Sequence, residues 1–286
     1  MHNLIGRRQV VFIQATEPGA YPPLINAAHL MAEAGWNVTF LSAPISGKQL
    51  PITPHPKIQI RSIPKRVSHV LSTAQYVRYI LAAGTLALRL KPDVVYASDP
   101  LGAIPGLLAA RIVGAKLVYH EHDSPNPGSL SRVLNRARAA AVRQARVVIF
   151  PNATRARVAQ SELDFSSSRT HIVWNVPRRS ELPATFTAPK LPLLLHYHGS
   201  VNPERLPESI IDAIVRFQGQ VRLRIVGYES PGAPDHVRRL VERGYSKAAG
   251  SVVDYIGQCT RQELLKEAAR AHVGLALVPT GCEDIS

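Results

Sequence analysis

Two cysteines in 286 residues, Cys259 and Cys282, sit outside any C-x-x-C or Cys/His cluster. That excludes a disulfide framework and a structural zinc knot, and it fits a reduced, cytoplasmic setting. Aromatic residues make up only 6% of the chain and are not interleaved with the basic ones, so no stacking platform for nucleic acid is expected. No apolar run approaches the roughly 20 residues of a membrane span. The longest candidate, Tyr79–Leu88, is about half that and is bracketed by Arg78 and Arg89. The opening residues, Met1 to Arg8, hold no stretch suited to a secretory signal, so a soluble chain is expected. The dinucleotide fingerprint G-x-G-x-x-G is missing, which argues against a nicotinamide or flavin dehydrogenase. Acidic residues are scarce in one half only. Residues 1–180 contain 22 Lys/Arg against 8 Asp/Glu, whereas residues 181–286 contain 12 of each. The whole excess of +14 therefore lies in the first half and favours an anionic partner.

What is present is a repeated alternation. Apolar, β-branched runs at 9–14, 37–42, 57–63, 94–97, 116–120, 147–150 and 171–175 read as buried parallel strands. Helical patterns at 23–34, 72–90, 101–113, 131–144 and 153–163 lie between them, with Gly35 closing the first. Residues 43–56 and 124–128 read as Pro-rich loops. Strand–helix units in this order predict a doubly wound parallel sheet with helices on both faces. Residues 181–192, with Pro183, Pro189 and Pro192, read as a linker. A second series follows, with strands at 193–198, 221–226, 252–256 and 273–278 and helices at 207–217, 235–242 and 261–271. The expected class is α/β: two Rossmann-like domains, 1–180 and 193–286, facing each other across a cleft.

Ligands of such sheets bind at the carboxyl ends of the strands, which selects the loops after each strand. The first holds Glu17 and Gly19, a plain turn or a place where backbone meets an anion at a helix start. The second is His120-Glu121-His122-Asp123. His120 and His122 share one face while Glu121 points the other way, so a metal pair, a satisfied strand end and a substrate-binding histidine all remain open. Asp99 is a helix cap or a cleft residue. In the second half, His198 to Arg205 places Gly199 and Ser200 ahead of an arginine at a helix entrance, which suits a diphosphate or is an ordinary surface charge. Gly227, Tyr228 and Gly257 sit at successive strand ends and either leave room for a base and ribose or form turns. Arginines 132, 136, 138, 143 and 146 crowd one helical segment. Arg132, Arg136 and Arg143 share a face that either meets water or lies on anionic lipid.

Taken in order, these pieces resemble the retaining glycosyltransferases of the two-Rossmann (GT-B) fold, family 4 type. The segments that carry the likeness are Lys91 to Tyr96, Lys116 to Asp123, Val173 to Pro177, His198 to Arg205, Ile225 to Gly227 and Tyr255 to Gly257. The resemblance covers most of the chain. It implies that the second half holds a nucleotide diphosphate sugar and the first half a glycan or lipid-linked acceptor. It gives His122 a contact to the transferred sugar, Arg205 the diphosphate, and Gly19 a place lining the cleft, with no metal and no cofactor besides the sugar donor. It also implies, beyond Pro279, a lysine and a helix bearing two glutamates eight residues apart. The sequence ends at Cys282-Glu283-Asp284-Ile285-Ser286, so the donor half is expected to be incomplete. The rival from another class is a non-catalytic basic module that binds anionic membrane or a protein partner, and a sugar-nucleotide epimerase shares the architecture.

Overall fold

The computed structural model describes residues 8–43, 52–63, 72–122, 125, 130–183, 188, 190–230, 232–248 and 252–277. The chain divides into two compact units, Met1–Val176 and Pro177–Ser286. Among the described residues no helix is long and apolar enough to cross a membrane.

The first unit is a seven-stranded sheet of β1 (Gln9–Gln14), β2 (Asn37–Ser42), β3 (Ile58–Ser62), β4 (Val94–Ser98), β5 (Lys116–His120), β6 (Val147–Phe150) and β7 (Thr170–Ile172). Their spatial order is β3-β2-β1-β4-β5-β6-β7, and every pairing is parallel. The order reverses between β1 and β4, the topological switch point at which doubly wound sheets take their ligands. Helices α2 (Thr73–Leu90), α3 (Asp99–Val113), α4 (Arg132–Gln144) and α5 (Ala153–Leu163) contribute to one core, with Val11, Ile13, Val95, Ala97, Tyr119 and Phe150. Helix α1 (Pro22–Glu33) contributes to the other, with Val10, Phe12, Phe40 and Tyr96. Consecutive residues thus feed opposite cores, as strand pleating requires, and strands buried on both faces explain the unbroken apolar runs.

Local signals fix the helix ends. Ser72 and Gln75 form a capping box at the start of α2, and Lys91 in the left-handed region ends it just before Pro92. Pro105 lies inside α3 and has no N–H for the carbonyl of Leu101, which accepts the Tyr76 hydroxyl of α2 at 2.9 Å instead.

The second unit has a four-stranded parallel sheet, β10-β9-β8-β11, from β8 (Leu193–Val201), β9 (Val221–Glu229), β10 (Val253–Gly257) and β11 (Val273–Gly274). Helices α6 (Ser209–Val215), α7 (His236–Lys247) and α8 (Arg261–Arg270) accompany it. Leu206, Ile211, Ile214, Leu223, Ile225 and Leu240 form its core. Both units are Rossmann-like, so the two-domain α/β class holds.

Several boundaries differ from the sequence expectation, among them the end of α7, which runs to Lys247 rather than Glu242. Strands β8 and β9 run three residues further, to Val201 and Glu229, because Gly199, Ser200 and Val201 keep register with Gly227, Tyr228 and Glu229. The helix expected from Pro207 begins at Ser209, since Pro207 and Glu208 accept tighter i→i+3 bonds from Ile210 and Ile211. The expected strands at 171–175 and 273–278 shrink to Thr170–Ile172 and Val273–Gly274. Much of the expected loops at 43–56 and 124–128, part of the linker, and Asp123, Pro279 and residues 280–286 lie outside the described residues.

Candidate functional site

In the first unit the carboxyl ends of β1, β4 and β5 lie side by side, and each closes on a buried polar residue: Gln14, Ser98 and His120. Two residues beyond β5, His122 is also buried. Gln14 Oε1, Ser98 Oγ, His120 Nε2 and both ring nitrogens of His122 have no hydrogen-bond partner within the described protein. Buried polar atoms are nearly always paired, so a concentration at three neighbouring strand tips calls for an explanation. Hydrogen bonding to a polar ligand supplies one.

The rings form a chain. The Tyr96 hydroxyl lies 2.6 Å from His120 Nδ1, the rings of His120 and His122 are 3.9 Å apart, and the ring of Tyr21 is 5.2 Å from that of His122. The Tyr21 hydroxyl accepts from Thr16 at 3.1 Å, and Thr16 accepts from Gln14 at 2.7 Å. Burial pushes the pKa of His122 down from 6.5 to about 4, and burial together with the neighbouring His122 holds that of His120 well below its ordinary value. Both imidazoles are therefore neutral near pH 7, each able to donate from one nitrogen and accept at another.

Three polar contacts hold the backbone around His122. Its N–H donates to Asp99 Oδ1 at 2.8 Å, its carbonyl accepts from Arg155 Nη1 of α5 at 2.7 Å, and the N–H of Glu121 donates to Ile149 of β6 at 3.0 Å. Asp99 is the first residue of α3 and has φ of 60°; aspartate is among the few non-glycine residues that tolerate this region. Its side chain ties the tip of β4 to that of β5.

Glu121, on the opposite face as expected, is fully buried and meets Arg138 of α4 through two bonds of 2.7 Å. Tyr119 adds a hydroxyl donor to the same carboxylate at 2.9 Å, and Arg138 also reaches Glu162 at 3.1 Å. Arg138 thus departs from its exposed neighbours Arg132 and Arg136. Arg143 is exposed but donates to the Leu163 carbonyl at 3.0 Å. Glu17 and Gly19 follow β1, Gly19 within the short 3-10 turn Pro18–Ala20; burial raises the pKa of Glu17.

In the second unit, Gly199, Gly227 and Tyr228 stand inside the extended strands rather than in loops after them. A Cβ on Gly227 would overlap the Gly199 carbonyl oxygen, and its φ is 148°, so close backbone approach alone requires glycine there. Tyr228 is half exposed. Gly257 ends β10, and the hydroxyl of Tyr255 reaches the Gly227 carbonyl at 3.1 Å. Arg205 is exposed in the turn Pro203–Arg205, four residues ahead of α6, so it does not stand at a helix entrance; its N–H donates to Asn202 Oδ1 at 2.9 Å. Its guanidinium lies near enough to Tyr197 to affect that hydroxyl's ionisation.

Sequence reasoning singled out His122, Asp99, Glu17 and Gly19 but missed Gln14, Ser98, Tyr21 and Arg155. A polar residue ending an apolar run was the available signal for Gln14 and Ser98.

Two parallel-sheet units, the first with polar tips at its switch point, define the GT-B class of glycosyltransferase folds. Residues 26–176 match the family described as "Glycosyl transferase 4-like domain", and the chain belongs to it. Among curated relatives, the UDP-N-acetylglucosamine–N-acetylmuramyl-(pentapeptide) pyrophosphoryl-undecaprenol N-acetylglucosamine transferase of Tolumonas auensis is 29% identical over 126 residues, 42% of this chain and 35% of that protein. Its counterpart from Shewanella sp. strain W3-18-1 is 29% identical over 138 residues, 46% of this chain and 37% of the relative. The matched part thus spans little more than a third of these relatives. Solved structures similar in fold include HepE of Anabaena in complex with UDP and glucose, with TM-score 0.63 and 17% identity, covering 92% of this chain and 72% of that one. Sucrose-phosphate synthase of Thermosynechococcus elongatus gives 0.71 at 14% identity, covering 94% and 75%.

Proposed function

We propose that the chain acts in transfer of a sugar from a nucleoside diphosphate sugar to a glycan or lipid-linked acceptor, with retention at the anomeric carbon. The observation that carries this reading is the group of unpartnered buried polar atoms on Gln14, Ser98, His120 and His122 at the switch point. A neutral, dry donor–acceptor surface suits sugar hydroxyls, which need hydrogen bonds and no countercharge. The names of the relatives supply the substrate class, a UDP-sugar donor and a pyrophosphoryl-undecaprenol acceptor, and HepE is described with UDP and glucose.

In this reading His122 hydrogen-bonds the transferred sugar, Asp99 holds its main chain, and Glu17 and Gly19 border the acceptor. Arg205, with Gly199, Gly227, Tyr228 and Gly257, takes the diphosphate, ribose and base. The bond from the anomeric carbon to the diphosphate breaks, a bond to the acceptor oxygen forms, and the acceptor proton passes to the leaving phosphate. Arg205 stabilises the charge that develops there. Arg132, Arg136 and Arg143 face an anionic membrane surface, which suits a lipid-linked acceptor at the cytoplasmic leaflet.

The test is the rate of nucleoside diphosphate release from a panel of nucleotide sugars with lipid-linked acceptor. His122→Ala is expected to slow it by at least ~10-fold, the loss of one hydrogen bond to the reacting sugar. An unchanged rate would contradict the assignment, and epimerised donor with no transfer would redirect it.

A further inference from the structure

Gln14, Ser98 and His120 stand abreast in the register of β1, β4 and β5, so their side chains leave the same face of the sheet. Tyr96 lies two residues before Ser98 on β4 and shares that face. Its ring is buried and stacked on Phe12 at 4.4 Å, and its hydroxyl lies 2.6 Å from His120 Nδ1.

The direction of this hydrogen bond follows from a count of protons. A phenol has one hydrogen to donate, and a buried hydroxyl that cannot place it is costly. Among the described residues the Tyr96 hydroxyl has no partner besides His120 Nδ1. Burial, with Asp99 nearby, raises the Tyr96 pKa, so the phenol keeps its proton. An Nδ1–H aimed at this oxygen would leave the phenol hydrogen without an acceptor. The phenol therefore donates and Nδ1 accepts. The imidazole is neutral, so its single N–H sits on Nε2, one of the unpartnered atoms at the switch point. The other end of the row has the opposite polarity. Gln14 directs its amide nitrogen to Thr16 at 2.7 Å and leaves Oε1 unpartnered.

We propose that Tyr96 is a positioning residue that locks His120 in the Nε2–H tautomer and makes it a fixed hydrogen-bond donor to an oxygen lone pair of the ligand. A fixed donor at β5 and a fixed acceptor at β1 select by polarity. The ligand turns a lone pair toward His120 and a hydroxyl hydrogen toward Gln14, as a polyhydroxylated ring can. The lock itself stands on the geometry of β4 and β5, and only the choice of a sugar as the ligand rests on the sugar-transfer reading above.

Long-range proton–nitrogen NMR spectra of the full chain, labelled with 15N in histidine and recorded at pH 7 without ligand, test the lock. His120→Gln identifies the His120 signals by their loss. The expected result is one neutral tautomer protonated at Nε2. Tyr96→Phe keeps the ring and removes only the donor, and it should convert that tautomer into a mixture containing Nδ1–H. A merely structural role would leave the tautomer of the folded variant unchanged. An Nδ1–H tautomer in the parent, or an unaltered Nε2–H tautomer in Tyr96→Phe, overturns the proposal, and the parent spectrum decides even if the variant fails to fold. Calorimetric titration with UDP-glucose and UDP-N-acetylglucosamine tests the consequence. Tyr96→Phe should weaken whichever binds by at least ~10-fold, the loss of one hydrogen bond. In a His120→Gln background, where the amide donates without Tyr96, the same change should cost ~2-fold or less. Equal losses in both backgrounds would show that Tyr96 does not act through His120. If neither nucleotide sugar binds while the parent holds the Nε2–H tautomer, the lock stands and the sugar reading falls.

Discussion

His122 shows how burial sets chemistry at a single position. Its pKa falls from 6.5 to about 4 because burial removes the ring from water. Above pH 6.5 folded and unfolded chains both carry it neutral. As the pH drops below 6.5, the unfolded chain binds a proton that the folded chain refuses, so stability declines until about pH 4. For this residue the loss amounts to about 3 kcal/mol across that window. Urea denaturation from pH 7 down to 4 should show the decline, and His122→Gln should flatten part of it. An equally steep dependence in the variant would contradict a neutral, buried His122. The sequence showed that His120 and His122 share a face and Glu121 does not, because strand alternation is strictly local. It did not show which of the clustered arginines turns inward. Arg138 is chosen by the position of a buried carboxylate 17 residues earlier, a tertiary fact that no helical periodicity encodes.

At the scale of elements, most strands and helices of the first unit were legible to within two residues, since continuous apolar runs, caps and prolines are local signals. Errors gathered in the second unit. Gly199 and Gly227 look like turn residues in sequence, yet they sit opposite each other in β8 and β9, where the Gly199 carbonyl leaves no room for a side chain on Gly227. Pairing between strands overrode the local propensity of glycine. Helix α3 shows the reverse, a local fault repaired from outside, because the proline gap at Leu101 is filled by the Tyr76 hydroxyl. Burial pushes that hydroxyl's pKa up to about 12, consistent with a half-buried donor. Tyr76→Phe should cost about 1–3 kcal/mol, the penalty of leaving the carbonyl unpaired, as measured by thermal or urea unfolding of the full chain. A variant as stable as the parent would show that water serves Leu101 equally well.

For the molecule as a whole, the sequence revealed the α/β class, the two-unit plan and the concentration of positive charge in the first half, since each follows from composition and alternation. What it left hidden is the set of polar tips at the switch point, because Gln14, Ser98 and His120 are far apart in the chain and become neighbours only through the β1-β4-β5 strand order. The family match and these polar tips support the proposal at the centre of the account, that this chain of the glycosyl transferase 4-like family handles nucleoside diphosphate sugars. Calorimetric titration of the full chain with a panel of such sugars tests it most directly. Saturable binding of at least one of them, weakened ~10-fold or more by Arg205→Ala through loss of a charged phosphate contact, is the expected result. Failure of every nucleotide sugar to bind, or binding indifferent to Arg205, would contradict it.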